Sequence, residues 1–409
     1  MISKFIIIEL KMKKIYVNID DTNVGELFFE KDKNQYGFNY LENYKPISLI
    51  MPYKSSSYIW KYKLHPIFDM NMPEGYLFEL FKKYLTKEYG YIDDFLVFSH
   101  ICSNIQSRLT YKSEFEKKEF FSFDLNEVLQ NDTQETFYKI VTTFLSKNAI
   151  SGIQPKSLAI LEDKESLISK EYIIKTWGEE YPQLALNEYF CLKAILKTDV
   201  KIPNIKVSKN GKFLLVERFN YDKQTDSFFG FEEIICLLGK NKDEKYSGSY
   251  EQISKVIYSV STQKLEDMKS FYKLIIMNYL LKNGDAHLKN FGILYSSDFS
   301  QIFFAPAYDV VNTVVYFHKD RPALSMFGKK VWFGKKELVK FGIQNCYLNE
   351  NEANEIYELC IKALKSSIFE LEEYLKNDKS FEEIGTKMLN IWKLSLDEKT
   401  YKEIPNETI

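Results

Sequence analysis

The stretch Asn283-Gly284-Asp285-Ala286-His287-Leu288-Lys289-Asn290 places an aspartate and an asparagine five positions apart, and Pro306-Ala307-Tyr308-Asp309 follows one short hairpin later. Phosphoryl transfer from magnesium-bound ATP needs such a set. One carboxylate orients the attacking hydroxyl and accepts its proton, while an amide and a second carboxylate hold the metal against the phosphates. Taken singly the parts are ordinary, because Gly-Asp is a common turn and Asp and Asn favour loops. The full spacing points to a kinase catalytic loop.

The elements around the motif must position it. Phe271, Leu274, Ile275 and Leu281 recur at helical spacing, which predicts a buried helix over about 266–282. Gly284 is expected as its left-handed cap, which would leave Asp285 in a loop. Phe291–Tyr295 and Gln301–Ala305 read as strands joined by a turn over Ser296–Ser300, a hairpin that would return Asp309 to the side of Asn290.

Upstream, residues 13–50 alternate in a strand-like way around Ile15-Tyr16-Val17, Leu27-Phe28-Phe29 and Tyr36–Leu41. Pro73-Glu74 is expected to start a helix whose buried face is Leu77, Leu80, Phe81, Tyr84 and Leu85, and a second helix is expected over 92–102. This predicts a small α/β domain over 1–110. Residues 112–119 are highly charged and read as a linker or exposed turn. Helices at 134–147 and 184–197 and strands at Leu158–Glu162, Tyr172–Lys175 and Phe213–Val216 complete a β-rich lobe over 111–219. Residues 220–409 read as mostly helical, with an irregular stretch around 316–345. The fold class is therefore α+β: a bilobal, protein-kinase-like fold with a β-rich N-lobe, a helical C-lobe and the small N-terminal domain.

Three further elements fit a nucleotide site between the lobes. Ser151-Gly152-Ile153-Gln154-Pro155-Lys156 is either a plain turn or a small-residue loop that offers backbone N–H groups to phosphates, and it lacks the GKS/GKT ending of a Walker loop. Lys175 ends an apolar strand, where it can reach phosphates paired with Glu188 of the next helix. Leu214–Phe219 is a buried strand running into charge, where backbone groups can meet an adenine edge.

In this order the pieces resemble the HipA-like serine/threonine kinases, toxins of bacterial toxin–antitoxin pairs. The matching stretches are Met72–Gly75, Ser151–Lys156, Ile173–Lys175, Asn187-Glu188, Val216–Phe219, Asn283–Asn290 and Ala305–Asp309. The resemblance implies that Asp285 is the catalytic base, that Asn290 and Asp309 bind Mg2+, and that Lys175 contacts the ATP phosphates. It implies that Ser151, Gly152, Gln154 and Lys156 belong to the phosphate loop, which in this family swings out when autophosphorylated on serine. Glu217 and Phe219 would flank the adenine. His287 and Lys289 would belong to the catalytic loop, with His287 supporting it. It also implies a protein substrate such as an aminoacyl-tRNA synthetase, and a helix-turn-helix antitoxin through which alone the chain would meet DNA. Many relatives carry a serine two positions before Ser151, whereas this chain has Ala149, so autophosphorylation would fall on Ser151 or be absent.

Composition narrows the alternatives. The 409 residues are 45% hydrophobic and 27% charged with a net charge of −2, which gives no global drive toward nucleic acid or membrane. The five cysteines are scattered without a CxxC pair, so neither a disulfide framework nor a zinc site is expected, and a reducing cytoplasm fits. Phe5–Ile8 is cut short by Glu9 and Lys11 before it could form a signal-peptide core, and Met12 offers an alternative start. No run is long and apolar enough to span a bilayer. Two other functions share parts of the pattern. An aminoglycoside-kinase-type small-molecule phosphotransferase has a similar Gly-Asp-x-His-x-x-x-Asn loop. A DNA-bound corepressor would use the basic cluster of Lys329, Lys330, Lys335, Lys336 and Lys340, which otherwise is a solvated lysine-rich face.

Overall fold

A computed structural model describes residues 14–41, 45–73, 75–115, 123–147, 165–168, 171–176 and 181–397, with the backbone alone described at 75–77, 144–147 and 165–168. The expected strand at Leu158–Glu162 and the loop residues Ser151, Gly152, Gln154 and Lys156 lie outside the described residues, as does Leu77's side chain.

The first sheet is antiparallel and contains β1 (Lys14–Ile19), β2 (Thr22–Glu30), β3 (Gln35–Tyr40), β4 (Tyr58–Lys61) and β5 (Leu109–Lys112) in the order β4-β3-β2-β1-β5. Alternation along β1 buries Ile15 and Val17 and turns Tyr16 outward, as expected of a strand with one covered face. β4 and β5 were not anticipated, because Tyr58–Lys61 and Leu109–Lys112 are short and their pairing comes from partners distant in sequence.

Helix α1 is described over Gly75–Tyr89, and α2 (Asp94–Ile101) starts where the Asp93 carboxylate accepts from the Leu96 N–H at 2.7 Å. Leu80, Phe81 and Leu85 of α1 are buried with Phe95, Val97 and Phe98 of α2. Two further helices follow: α3 (Leu125–Gln130), absent from the sequence reading, and α4 (Gln134–Lys147).

The second sheet is antiparallel, with β6 (Glu165–Ile168), β7 (Tyr172–Thr176), β8 (Ile205–Val207) and β9 (Leu214–Glu217) in the order β6-β7-β9-β8, and α5 (Leu184–Leu196) lies between β7 and β8. Its inward residues Ile174 and Leu215, with Phe213 just before β9, join the same core as Ile15, Val17 and Phe38 of the first sheet and Phe137 and Ile140 of α4. The two sheets therefore share a hydrophobic core.

A second core fills the helical body. Helix α6 (Tyr250–Val260) opens with a capping box between Ser249 and Gln252. Helix α7 (Lys264–Leu281) buries residues on every side, from Met268 and Phe271 to Leu280 and Leu281, as a central helix must. Around it lie α8 (Lys335–Asn345), α9 (Glu350–Asn377) and α10 (Glu382–Ser395). α8 corrects the expectation that 316–345 is irregular throughout, since Leu338 and Phe341 give it a buried face. A small third sheet, β10 (Gly230–Glu233), β11 (Gly292–Tyr295) and β12 (Ile302–Phe304), carries the hairpin.

The first sheet is fastened to this third one. The fully buried carboxylate of Glu232 accepts from Ser48 Oγ, the Leu49 N–H and Tyr295 Oη, each at 2.8 Å. Arg108 donates to the Pro46 and Ser297 carbonyls at 3.1 and 3.2 Å and lies over the Tyr295 and Phe299 rings.

Candidate active site

Helix α7 delivers the loop. It ends at Lys282, whose φ of +60° makes the left-handed cap that the sequence reading had placed on Gly284. Gly284 is needed for another reason: a Cβ there would overlap Asp320 Oδ2 and come within 2.8 Å of Thr313 Oγ1. Thr313 Oγ1 accepts from the Gly284 N–H at 2.8 Å and donates to Asp320, bracing the turn from below. Burial raises the Asp320 carboxyl, partly offset by hydrogen bonds from the Thr313 hydroxyl and the Arg321 N–H, and it pushes the Lys282 ammonium down to about 7.

Within the loop each polar group holds another. Asn283 Nδ2 donates to Asn278 Oδ1 at 2.8 Å, and its Oδ1 accepts from the Asp285 N–H at 3.1 Å. Asn290 Oδ1 accepts from the His287 N–H at 2.9 Å. His287 Nδ1 accepts from the Lys289 N–H at 3.3 Å, so a neutral ring carries its proton on Nε2, 3.9 Å from Asp285 Oδ1. Burial lowers the His287 pKa against the opposing pull of Asp285, which favours that neutral form.

The hairpin then brings Asp309 home. Its return strand is fixed by Asp267 of α7, which accepts from the Phe304 N–H at 2.8 Å. Asn290 Nδ2 donates to Asp309 Oδ2 at 3.0 Å. Asp309 adopts a φ of +59°, an uncommon backbone conformation that Asp tolerates better than most residues. Lys175 reaches across from β7, 2.5 Å from Glu188 Oε1 and 3.2 Å from Asp309 Oδ1. Asn187, beside Glu188, exchanges two hydrogen bonds with the Asn312 backbone at 2.8 and 2.9 Å, so α5 grips the segment just after Asp309.

The structure thus gathers Asp285, His287, Asn290, Asp309 and Lys175 around one loop. Tyr308 links in two more: its hydroxyl donates to the Lys289 carbonyl at 2.7 Å and its ring stacks on Phe219 at 5.4 Å. Lys289 Nζ itself lies 3.9 Å from Glu233. Glu217 is turned elsewhere, toward Lys223 at 2.8 Å and Asn204 at 3.1 Å; burial works against its charge, but these partners hold its pKa below the usual value. A side-chain role for Glu217 at a ligand would require breaking that pairing.

Asn290 Oδ1 and the Asp309 carboxylate are hard oxygen donors of the kind Mg2+ takes. Among the described residues no group of three or more His, Cys, Asp or Glu is arranged to hold a metal unaided. This donor set fits an ion whose other ligands come from phosphates and water.

The sequence reading missed contributors from outside the motif. Tyr246 donates its hydroxyl to Asp285 Oδ1 at 2.8 Å and sets its ring edge-on to His287 at 5.1 Å. Asp320 braces Gly284 through Thr313. Nothing local marks either one, since Tyr246 lies 39 residues before Asp285.

The HipA-like C-terminal domain family matches residues 148–368, more than half of the chain, and the HipA N-terminal domain family matches 15–112. The chain belongs to the HipA-like family. Its fold agrees with a HipA from Shewanella oneidensis, solved with HipB and its operator DNA: the TM-score is 0.71 at 14% identity, covering 97% of this chain and all of that one. Two relatives bear kinase names that give no substrate. One, from Haemophilus influenzae, is 33% identical over 184 residues, covering 41% of this chain and 53% of its own length. Y4dM of Sinorhizobium fredii is 24% identical over 204 residues, covering 44% of this chain and 49% of its own length. The matches span about half the length of these curated relatives. All five cysteines of this HipA-like chain are free and buried. Among the described residues no helix is long and apolar enough to cross a membrane.

Proposed function

We propose that this chain is an ATP- and Mg2+-dependent serine/threonine protein kinase, with a first domain over 1–110, an N-lobe over 111–219 and a helical lobe over 220–409. The observation that carries the reading is the contact of Asn290 with Asp309, and of Asp309 with the Lys175–Glu188 pair, beside the loop that holds Asp285. Asp285 accepts the proton of the acceptor hydroxyl as that oxygen bonds to the γ-phosphorus, and the bond to the β-phosphate oxygen breaks to release ADP. Lys175 offsets phosphate charge, held in place by Glu188. Asn290 and Asp309 would hold Mg2+, which when bound neutralises charge on the phosphates. Phe219 and Tyr308 form an aromatic wall suited to a purine, and Ser151, Gly152, Gln154 and Lys156 are assigned to the phosphate loop.

The acceptor is proposed to be a serine or threonine of a translation component such as an aminoacyl-tRNA synthetase, with expression arresting bacterial growth. A helix-turn-helix antitoxin is proposed as partner on the strength of the fold shared with the HipB-bound Shewanella protein. The deciding experiment compares wild type with Asp285→Asn by transfer of labelled γ-phosphate and by phosphoproteomics after controlled expression. Equal phosphorylation by the two proteins would refute the assignment.

A further inference from the structure

Tyr246 lies where the reaction would need another group to be. A catalytic base must sit within roughly 2.6–3.2 Å of the hydroxyl it deprotonates, and Tyr246 Oη is 2.8 Å from Asp285 Oδ1. Tyr246 is 45% exposed, as is the Asp285 side chain. The phenol therefore meets the carboxylate at a solvent-facing edge, the side from which a protein acceptor must come.

The Asp285 backbone is held without the phenol. The Asp285 backbone is pinned by Asn283 Oδ1 on its N–H and by the His287 N–H on its carbonyl, at 3.1 and 2.8 Å. The loop that carries the tyrosine is itself fastened: the Lys245 carbonyl accepts from the Leu288 N–H at 3.1 Å, and the Tyr246 carbonyl accepts from Lys330 Nζ at 3.0 Å. The Gly248 carbonyl accepts from the Ser325 N–H at 3.2 Å. A fixed loop thus presents one hydroxyl to the base. Burial, then the charges of Asp285, Asp320 and Asp309, push the phenol well above its ordinary pKa, so it stays a proton donor and a poor nucleophile.

Resting on the kinase reading above, we propose that Tyr246 is an internal competitor for the acceptor site: its hydroxyl occupies the position of the substrate serine or threonine on Asp285, and an acceptor must displace it. The residue then sets the affinity for the acceptor and selects those that bind well enough elsewhere to push the ring aside. The loop is also tied to the first domain by Lys63 with Asp243 and by Lys242 with Asp69 at 3.7 Å, so a partner on that domain would have a route to this contact.

The test uses the full chain, Mg-ATP and a degenerate peptide mixture with a central serine. Tyr246→Phe keeps the ring against His287 and removes the competing hydrogen bond. The expected result is a KM for peptide lower by about tenfold, the worth of one ordinary hydrogen bond, with kcat within about twofold. Peptide binding in the presence of a non-hydrolysable ATP analogue should tighten in parallel, and the melting temperature should match wild type. A fall in kcat at unchanged KM would instead make Tyr246 a positioning residue and overturn the proposal. So would identical constants in the two proteins, or phosphotyrosine at 246 in wild type after incubation with Mg-ATP. Absence of Asp285-dependent transfer from either protein would sink the kinase reading itself, and the proposal with it.

Discussion

Glu232 and Asp285 are both carboxylates held by hydrogen bonds, and their surroundings treat them in opposite ways. Glu232 is sealed in the seam between the first and third sheets, with three donors fixed on its two oxygens. Burial raises its pKa against the lowering effect of those hydrogen bonds. Asp285 is half exposed and accepts from one hydroxyl, that of Tyr246. A fully satisfied buried network rigidifies and joins, whereas an open carboxylate stays available for proton transfer. The seam carries structure and the loop carries the proposed chemistry, although Glu233 and Lys289 place the two networks side by side.

Substitution should separate the two carboxylates. Asp285→Asn is expected to lower phosphoryl transfer by about a thousandfold or more, the upper range of a general base, with nucleotide affinity nearly unchanged by calorimetry. Asp309→Ala should weaken Mg2+-dependent nucleotide binding as well. If Asp285→Asn turns over like wild type, the contrast collapses.

Gly284→Ala attacks the loop's support. The added Cβ would meet Asp320 Oδ2, so a loss of about 1–3 kcal/mol in stability is expected from overpacking, together with loss of transfer. A variant that melts and turns over like wild type would show that the Thr313–Asp320 brace is slack.

At the seam, Glu232→Gln replaces one acceptor oxygen by a donor amide facing donors. A cost of about 1–3 kcal/mol is expected, read as a lower denaturant midpoint, while kcat stays within a few-fold. A large loss of kcat with unchanged stability would reverse the roles assigned to the two networks.

The smallest effect is a pH slope from the first domain. His65 caps a one-turn helix by accepting from the Ile67 N–H at 3.2 Å, and burial lowers its pKa to about 3. A depressed folded value means that the native state binds fewer protons than the unfolded chain. Its share of stability is therefore complete above about pH 6.5 and declines as the pH falls below it, by about 1.4 kcal/mol at pH 5.5. His65→Asn keeps a capping acceptor and should flatten that part of the slope in urea titrations at pH 7.5 and 5.5. An unchanged slope would move the acid sensitivity to His287, which burial shifts in the same direction.

What was legible beforehand follows from distance along the chain. Asn290 and Asp309 are 19 residues apart and joined by a hairpin whose strands and turn are marked by residue type, so their meeting could be foreseen. Lys175 and Glu188 are 13 apart on a strand and the following helix. The glycine of the motif was visible but its reason was not: Asp320 reaches it from outside the local sequence, and Lys282 takes the left-handed cap despite having a side chain. Tyr246 reaches Asp285 across two intervening helices, a contact that no periodicity encodes. β4 and β5 escaped for a related cause, because a four-residue strand carries little pattern of its own and depends on its partners.

The clasp on Glu232 also has a consequence in time. Its acceptor lies 184 residues after the Ser48 donor. Chains emerge at about 5–20 residues per second, and N-terminal units tend to fold first, so roughly ten to forty seconds separate the appearance of Ser48 from that of Glu232. Throughout that interval the nascent first sheet presents the Ser48 hydroxyl and the Leu49 amide to whatever surrounds the ribosome. The order of synthesis thus leaves the docking face open before the Asp285 loop exists.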